Sequence, residues 1–262
     1  MNYETILVEK QESVPGVTVV TLNRPLLLNA INTRMFVELL DCARTLSHDE
    51  SVRCMVLTGA GRSFCAGADL KERQGMDDAT WRRQHHTIEE AFLAFREIPQ
   101  PTIAAVEGHA YAGGMELALM CDFIIASSSA RFALAEVKRG IMPGGGGIQN
   151  LVRSAGMRRA KQYLFTGDAF DANRAEQLGV VNEVTAQGAA LGRTLEIARA
   201  ILDAAPMSVR MAKLTASRGG EVDFHTGYAL DIAAYNVLVQ SEDRTEGINA
   251  FNEKRKPVWK NR

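Results

Sequence analysis

The chain has 262 residues, 46% of them hydrophobic and 23% charged, with a formal net charge of −1. That length supports a large buried core in one domain, or one domain with a smaller appendage. The near-zero charge excludes a general electrostatic attraction to nucleic acid or to anionic membrane, so any anionic ligand must be held locally.

Residues 1–10 show neither a basic segment before an apolar core nor the Arg/Ser-rich character of a transit peptide, and no apolar run reaches membrane-spanning length. Residues 5–8 and 17–22 are rich in β-branched side chains and separated by Pro15-Gly16, which predicts a hairpin. Met35, Phe36, Leu39, Leu40, Ala43 and Leu46 recur at helical spacing, with Thr33 as the expected cap. Residues 54–57, 102–106 and 123–126 are short, nearly continuous apolar runs, as expected of parallel strands covered on both faces. Helices are expected between them, over 81–96 and from Gly113-Gly114 onward, so strand and helix alternate in an α/β core with right-handed crossovers. Past Ala189 the strand signal disappears, and 191–204, 207–218, 222–239 and 242–254 read as helices. The expected organisation is an α/β core over residues 1–190 and a helical region over 191–262, docking on the core and on other subunits. Cys42, Cys54, Cys65 and Cys121 form no CxxC pair, and the histidines show no metal spacing. This favours reduced thiols in a cytoplasm, with no metal site.

The chemistry concentrates in glycine-bearing turns. Glu116 is the only charge in residues 111–120, and a carboxylate buried there needs a partner. If Gly113-Gly114 opens a helix, its unpaired N–H groups and positive dipole end face a docked ligand, and Glu116 lies on the first turn. There it either complements the dipole or takes part in chemistry. Glu136, alone among the apolar residues 132–137, poses the same question, and together the two suggest acid/base work. Ala66, Gly67 and Ala68 let backbone N–H groups approach a ligand, while Asp69 reads equally as a helix cap. The four consecutive glycines 144–147 suggest close approach by backbone or ligand. Their surroundings match neither a Walker phosphate loop nor a dinucleotide fingerprint, and no Gly-x-Ser-x-Gly elbow is present.

Leu22-Asn-Arg-Pro25 with Asn29-Ala30, Ser63-Phe-Cys-Ala-Gly-Ala-Asp-Leu-Lys71, Ala112-Gly-Gly-Met-Glu-Leu117, and Glu136 with Gly140-Ile-Met-Pro-Gly-Gly-Gly-Gly147 follow one another in a specific order and spacing. In these blocks, over nearly its whole length, the chain resembles the enoyl-CoA hydratase/isomerase (crotonase) superfamily. Residues 64–73, 143–147, 221–223 and 251–255 look most like methylglutaconyl-CoA hydratases of leucine breakdown. The resemblance implies an α/β spiral of ββα turns with a C-terminal helical trimerisation region, assembled as a homotrimer or a dimer of trimers. It implies reversible addition of water across the α,β-double bond of an enoyl-CoA thioester, 3-methylglutaconyl-CoA being one candidate. No cofactor is expected, coenzyme A being part of the substrate.

By the same resemblance, the backbone N–H groups of Ala66 and Gly113 form an oxyanion hole, Glu116 activates water and Glu136 transfers a proton at Cα. Leu26, Leu28, Ala30, Ala66, Gly67, Ala68, Asp69, Leu70 and Gly113 are expected along the coenzyme A path, with Phe251 and Lys254 reaching a neighbouring subunit's ligand. Leu26 stands where relatives often carry Lys or Arg for a phosphate, and Arg24, Lys71 and Lys254 are the compensating candidates. A terminal acyl carboxylate would suit Arg73, Lys138 or Arg139. The nearer alternative is double-bond isomerisation on the same scaffold. RNA binding is the distant one: across residues 32–53, Arg34, Arg44 and Arg53 are outweighed by Glu38, Asp41, Asp49 and Glu50, which leaves little counterion-release driving force.

Overall fold

The computed structural model describes residues 2–262. β1 (Ile6–Lys10) runs antiparallel to β2 (Val17–Leu22), the hairpin expected around Pro15-Gly16. α1 (Thr33–His48) buries Met35, Phe36, Leu39, Leu40, Ala43 and Leu46. Its cap differs from expectation. Asn32, in an extended conformation, accepts from the Met35 N–H at 3.0 Å, and Thr33 is the first helical residue. The Thr33 hydroxyl instead accepts from Gln84 Nε2 at 2.7 Å.

From β3 (Cys54–Gly59) onward one pattern repeats: a strand of a large sheet, a short segment at a smaller sheet, then a helix. β3 is followed by Cys65, α2 (Leu70–Arg73) and α3 (Asp78–Arg96). β4 (Thr102–Val106) leads to β5 (His109–Tyr111) and α4 (Gly113–Leu119). β6 (Phe123–Ser127) leads to β7 (Arg131–Ala133), a 3-10 turn at Glu136–Arg139 and α5 (Gly147–Ala155). α6 (Met157–Thr166), β8 (Phe170–Asp171), α7 (Ala172–Gln177) and β9 (Glu183–Thr185) follow. The large sheet has the order β1-β2-β3-β4-β6-β9 and is parallel beyond the first pair; the small one has the order β5-β7-β8. This is the spiral of ββα turns that the sequence led us to expect.

The central strands are buried on both faces, and their side chains alternate between two cores. Met55, Leu57 and Ala104 join a large cluster with Phe36 and Phe92 of α1 and α3. Cys54, Val56, Ile103 and Ala105 face the other way, against Ala190 and Ala198 of α8 (Ala190–Leu202). Each fully buried Leu or Phe side chain in these clusters contributes roughly 1.5–3 kcal/mol. α9 (Pro206–Gly219), α10 (Phe224–Val239) and α11 (Glu242–Asn252) complete the chain, and α10 leaves Phe224, Tyr228, Ile232 and Tyr235 exposed. All four cysteines are buried and unpaired. Among the described residues no helix is long and apolar enough to cross a membrane.

Candidate active site

Strand register brings the glycine-bearing turns together. Cys65 pairs with Ala110, and Ala110 pairs with Phe132 across β5 and β7. Counting three residues on from each of these aligned positions gives Ala68, Gly113 and Ala135, with Glu136 next in the chain. Successive turns touch here: a Cβ on Gly114 would lie 2.4 Å from the Cys65 carbonyl oxygen, so only glycine lets α4 start at this point. Ala112, just before it, has φ 48° and ψ −125°, an uncommon conformation for a residue with a Cβ, held by its N–H to Ala133 O at 2.7 Å.

The result is a pair of neighbouring backbone donors. Among the described residues, the N–H groups of Ala68 and Gly113 have no acceptor, and a Cβ on Gly113 would stand 3.9 Å from Ala68 N. The sequence-based expectation of Ala66 as a donor is thereby corrected. The Ala66 N–H is already bonded to Leu28 O at 3.0 Å, so Ala66 lines the cavity without a free donor, and Ala68 takes its place beside Gly113.

Both carboxylates reach the same cavity, of about 460 Å³, lined also by Ala66, Ala68 and Gly113. Glu116, on the first turn of α4, is 5% exposed, and its Oε1 accepts from Gly145 N at 2.7 Å and Gly147 N at 3.0 Å. Burial pushes its pKa up, and these two N–H groups partly counter the rise. Glu136 is 7% exposed, and among the described residues neither of its side-chain oxygens has a hydrogen-bond partner. Burial, reinforced by the charge of Glu116, raises its pKa to about 7. With that pKa an unpartnered carboxyl keeps a substantial protonated fraction at neutral pH, the state a proton donor needs.

The glycine run fulfils its expectation of close approach. A Cβ on Gly145 would meet the Phe92 ring at 2.2 Å, and one on Gly147 would meet Glu116 Cγ at 2.8 Å. The segment's identity as the holder of Glu116 was not foreseen, because nothing local in the sequence shows which carboxylate it wraps.

Other expected positions divide. Leu70 lines the cavity; Leu28 and Ala30 are half-buried in the loop beside it; Leu26 is 98% exposed. Gly67 and Asp69 are not in the cavity wall. Gly67 donates to Cys65 Sγ and packs on Tyr111 and Ala112, while Asp69 caps α2 and pairs with Arg24 Nη1 at 3.0 Å. Arg24, also bonded to Ala30 O, is therefore tied into the loop and does not serve as the free cation suggested to compensate for Leu26. Phe251, 83% exposed, and Lys254 lie at the end of the helical region and are not part of this cavity wall. Of the three cations suggested for an acyl carboxylate, Arg73 and Arg139 line the cavity, whereas Lys138 pairs with Asp168 at 3.0 Å outside it.

A sequence model of the family described as Enoyl-CoA hydratase/isomerase matches residues 12–262. Enoyl-CoA hydratase domain-containing protein 2, mitochondrial, of Mus musculus is 42% identical over 252 residues, covering 93% of this chain and 84% of that protein. Methylglutaconyl-CoA hydratase, mitochondrial, of Homo sapiens is 38% identical over 255 residues, covering 95% and 75%. The crystal structure of an enoyl-CoA hydratase from Bacillus anthracis superposes with a TM-score of 0.96 at 38% identity, covering 99% of this chain and all of that one.

Proposed function

Because the chain belongs to the enoyl-CoA hydratase/isomerase family, we propose that it is an enoyl-CoA hydratase, adding water reversibly across the α,β-double bond of a coenzyme A thioester. The observation that carries this reading is the convergence of two free backbone donors and two buried carboxylates on one cavity. In the proposed reaction the thioester oxygen lies between the N–H groups of Ala68 and Gly113. Water attacks Cβ while Glu116, anchored through Oε1, takes a water proton on its other oxygen. The π electrons shift onto the thioester oxygen, where the two donors stabilise the enolate; losing one such donor typically costs about 2.7–4 kcal/mol. Glu136 then delivers its proton to Cα as the enolate collapses. The proton gained by Glu116 returns to Glu136, so the pair shares one proton between turnovers. No cofactor is required by these steps.

Glu116→Gln and Glu136→Gln should each lower kcat by about 100- to 10,000-fold at saturating crotonyl-CoA. Retention of near-parental rates by either variant would sink the mechanism. Analysis of products from crotonyl-CoA and 3-enoyl-CoA separates hydration from double-bond isomerisation. For the acyl group we propose 3-methylglutaconyl-CoA, an intermediate of leucine breakdown, supported by relatives named methylglutaconyl-CoA hydratase.

The helical region over residues 191–262 is proposed to assemble the chain into a homotrimer or a dimer of trimers. The apolar side chains left exposed on α10 support this. Phe251 and Lys254 are proposed to complete a neighbour's coenzyme A site in that assembly. A reducing compartment, the cytoplasm, is proposed from the four unpaired thiols, which burial keeps protonated.

A further inference from the structure

Arg73 is a cation in the wall of the reaction cavity, and the mechanism does not use it. Its Nε donates to Gln84 Oε1 at 2.8 Å, and its guanidinium carbon lies 4.5 Å from the centroid of the Trp81 ring. Gln84 is 5% exposed and is itself oriented: its Nε2 donates to Thr33 Oγ1 at 2.7 Å and to Glu72 Oε2 at 3.0 Å, so its carbonyl oxygen must point at Arg73. The guanidinium is thus held in position by an aromatic ring beneath it and a buried amide. Its two terminal amino groups have no acceptor among the described residues, and no carboxylate forms an ion pair with it. Burial holds its pKa below the usual guanidinium range, and the nearby charge of Glu72 counters this only in part.

One role inside the proposed constellation is excluded by its neighbours. Among the described residues Arg73 makes no hydrogen bond to either glutamate: Glu116 is held by Gly145 and Gly147, and both Glu136 oxygens are unpartnered, so Arg73 is not the counter-ion of the reacting pair. Trp81 and Gln84 stand near the start of α3, whereas Phe92, which touches the glycine run holding Glu116, lies roughly two to three turns further along the same helix. His85, Ile88 and Phe92 line the cavity between the two ends. An acyl chain running from the reacting pair toward Arg73 therefore passes Phe92, Ile88 and His85 before meeting a prepared fork of donors.

We propose that Arg73 is a specificity-determining residue that receives a second carboxylate at the far end of the acyl chain. The favoured substrates are then enoyl-CoA thioesters of dicarboxylic acids, with Gln84 and Trp81 as positioning residues. This rests on the hydratase reading for its chemistry but not for its binding. A planar guanidinium engages a carboxylate through paired charge-assisted hydrogen bonds, which a Lys cannot reproduce.

The test is calorimetric titration of the intact protein with glutaryl-CoA and adipyl-CoA against the carbon-matched pentanoyl-CoA and hexanoyl-CoA. The parent should bind at least one dicarboxylic member about 10- to 100-fold more tightly than its match. Arg73→Met should bring that ratio close to one, and Arg73→Lys should restore only part of it; melting curves verify that both variants fold. The ratio of kcat/KM for glutaconyl-CoA over crotonyl-CoA should fall with the binding ratio. The proposal is overturned if the parent shows no preference. It is equally overturned if Arg73→Met weakens free coenzyme A and every thioester by one factor, which would assign the cation to the coenzyme's phosphates. If the binding preference stands and no thioester is hydrated, the hydratase reading fails and this inference survives.

Discussion

At the scale of single residues, the two glutamates differ in what holds them. Glu116 is tied by two backbone donors; Glu136 has none. Because Glu136 binds its proton more tightly folded, with a pKa of about 7 against an ordinary 4.5, it favours the folded state most at low pH. That contribution disappears as pH rises from the ordinary value through about 7. Glu136→Gln removes the titration, so the loss of stability between about pH 5 and about pH 8 should shrink by about 2 kcal/mol in denaturant titrations. An unchanged pH dependence would show that Glu136 is ionised in the resting protein. For the parent, kcat for hydration should fall as pH rises above about 7, when the proton donor ionises. Both glutamates were legible in the sequence as charges stranded in apolar runs. The choice between Ala66 and Ala68 was not, because it depends on the Leu28 carbonyl, brought in from another loop, which occupies the Ala66 N–H.

At the scale of elements, the glycine run before α5 is a mould around Glu116 and Phe92. Gly147→Ala places a methyl 2.8 Å from Glu116 Cγ, and the carboxylate must swing away from its donors. We expect a loss of about 1–3 kcal/mol in stability, read as a lower Tm, together with a fall in kcat larger than any change in KM. A variant with parental kcat would show that the exact seat of Glu116 is unimportant. The long elements were readable because their apolar spacing persists over several turns or a full strand, as in α1, α3 and β4. β5, β7, β8 and β9 have only two or three residues each, too few to establish an alternation, and so the small sheet went unseen. The cap of α1 lies one position before the expected Thr33 because Asn32 and Thr33 are both competent caps, and the hydrogen bond from buried Gln84 to Thr33 decides between them.

At the scale of the whole molecule, the sequence pattern conveyed an α/β core followed by helices, but not the partner of each face. α8 is the clearest case: its Ala190 and Ala198 close the second core of the large sheet, a contact set by the return of the chain and not by local pattern. α10 packs against α9, but among the described residues nothing covers its outer face, with Tyr228 54% and Ile232 44% exposed. Apolar surface on that scale is disfavoured in water unless a subunit covers it. Ile232→Arg should therefore lower the mass measured by light scattering at micromolar concentration, with little effect on the far-ultraviolet spectrum. A parent protein that is already monomeric would remove the case for assembly through this face.

The ladder that aligns Cys65, Ala110 and Phe132 has a consequence for how such a scaffold can be altered. The proposed grip on the thioester consists of main-chain groups, so replacing side chains around it leaves the grip in place. The carboxylates are side-chain additions to that grip, Glu116 three residues after Gly113 and Glu136 next to Ala135. Removing Glu116 or Glu136 would leave a protein that still binds and polarises an acyl-CoA but has lost one proton-handling step, a starting point from which a different acyl-CoA reaction can be selected without rebuilding the fold.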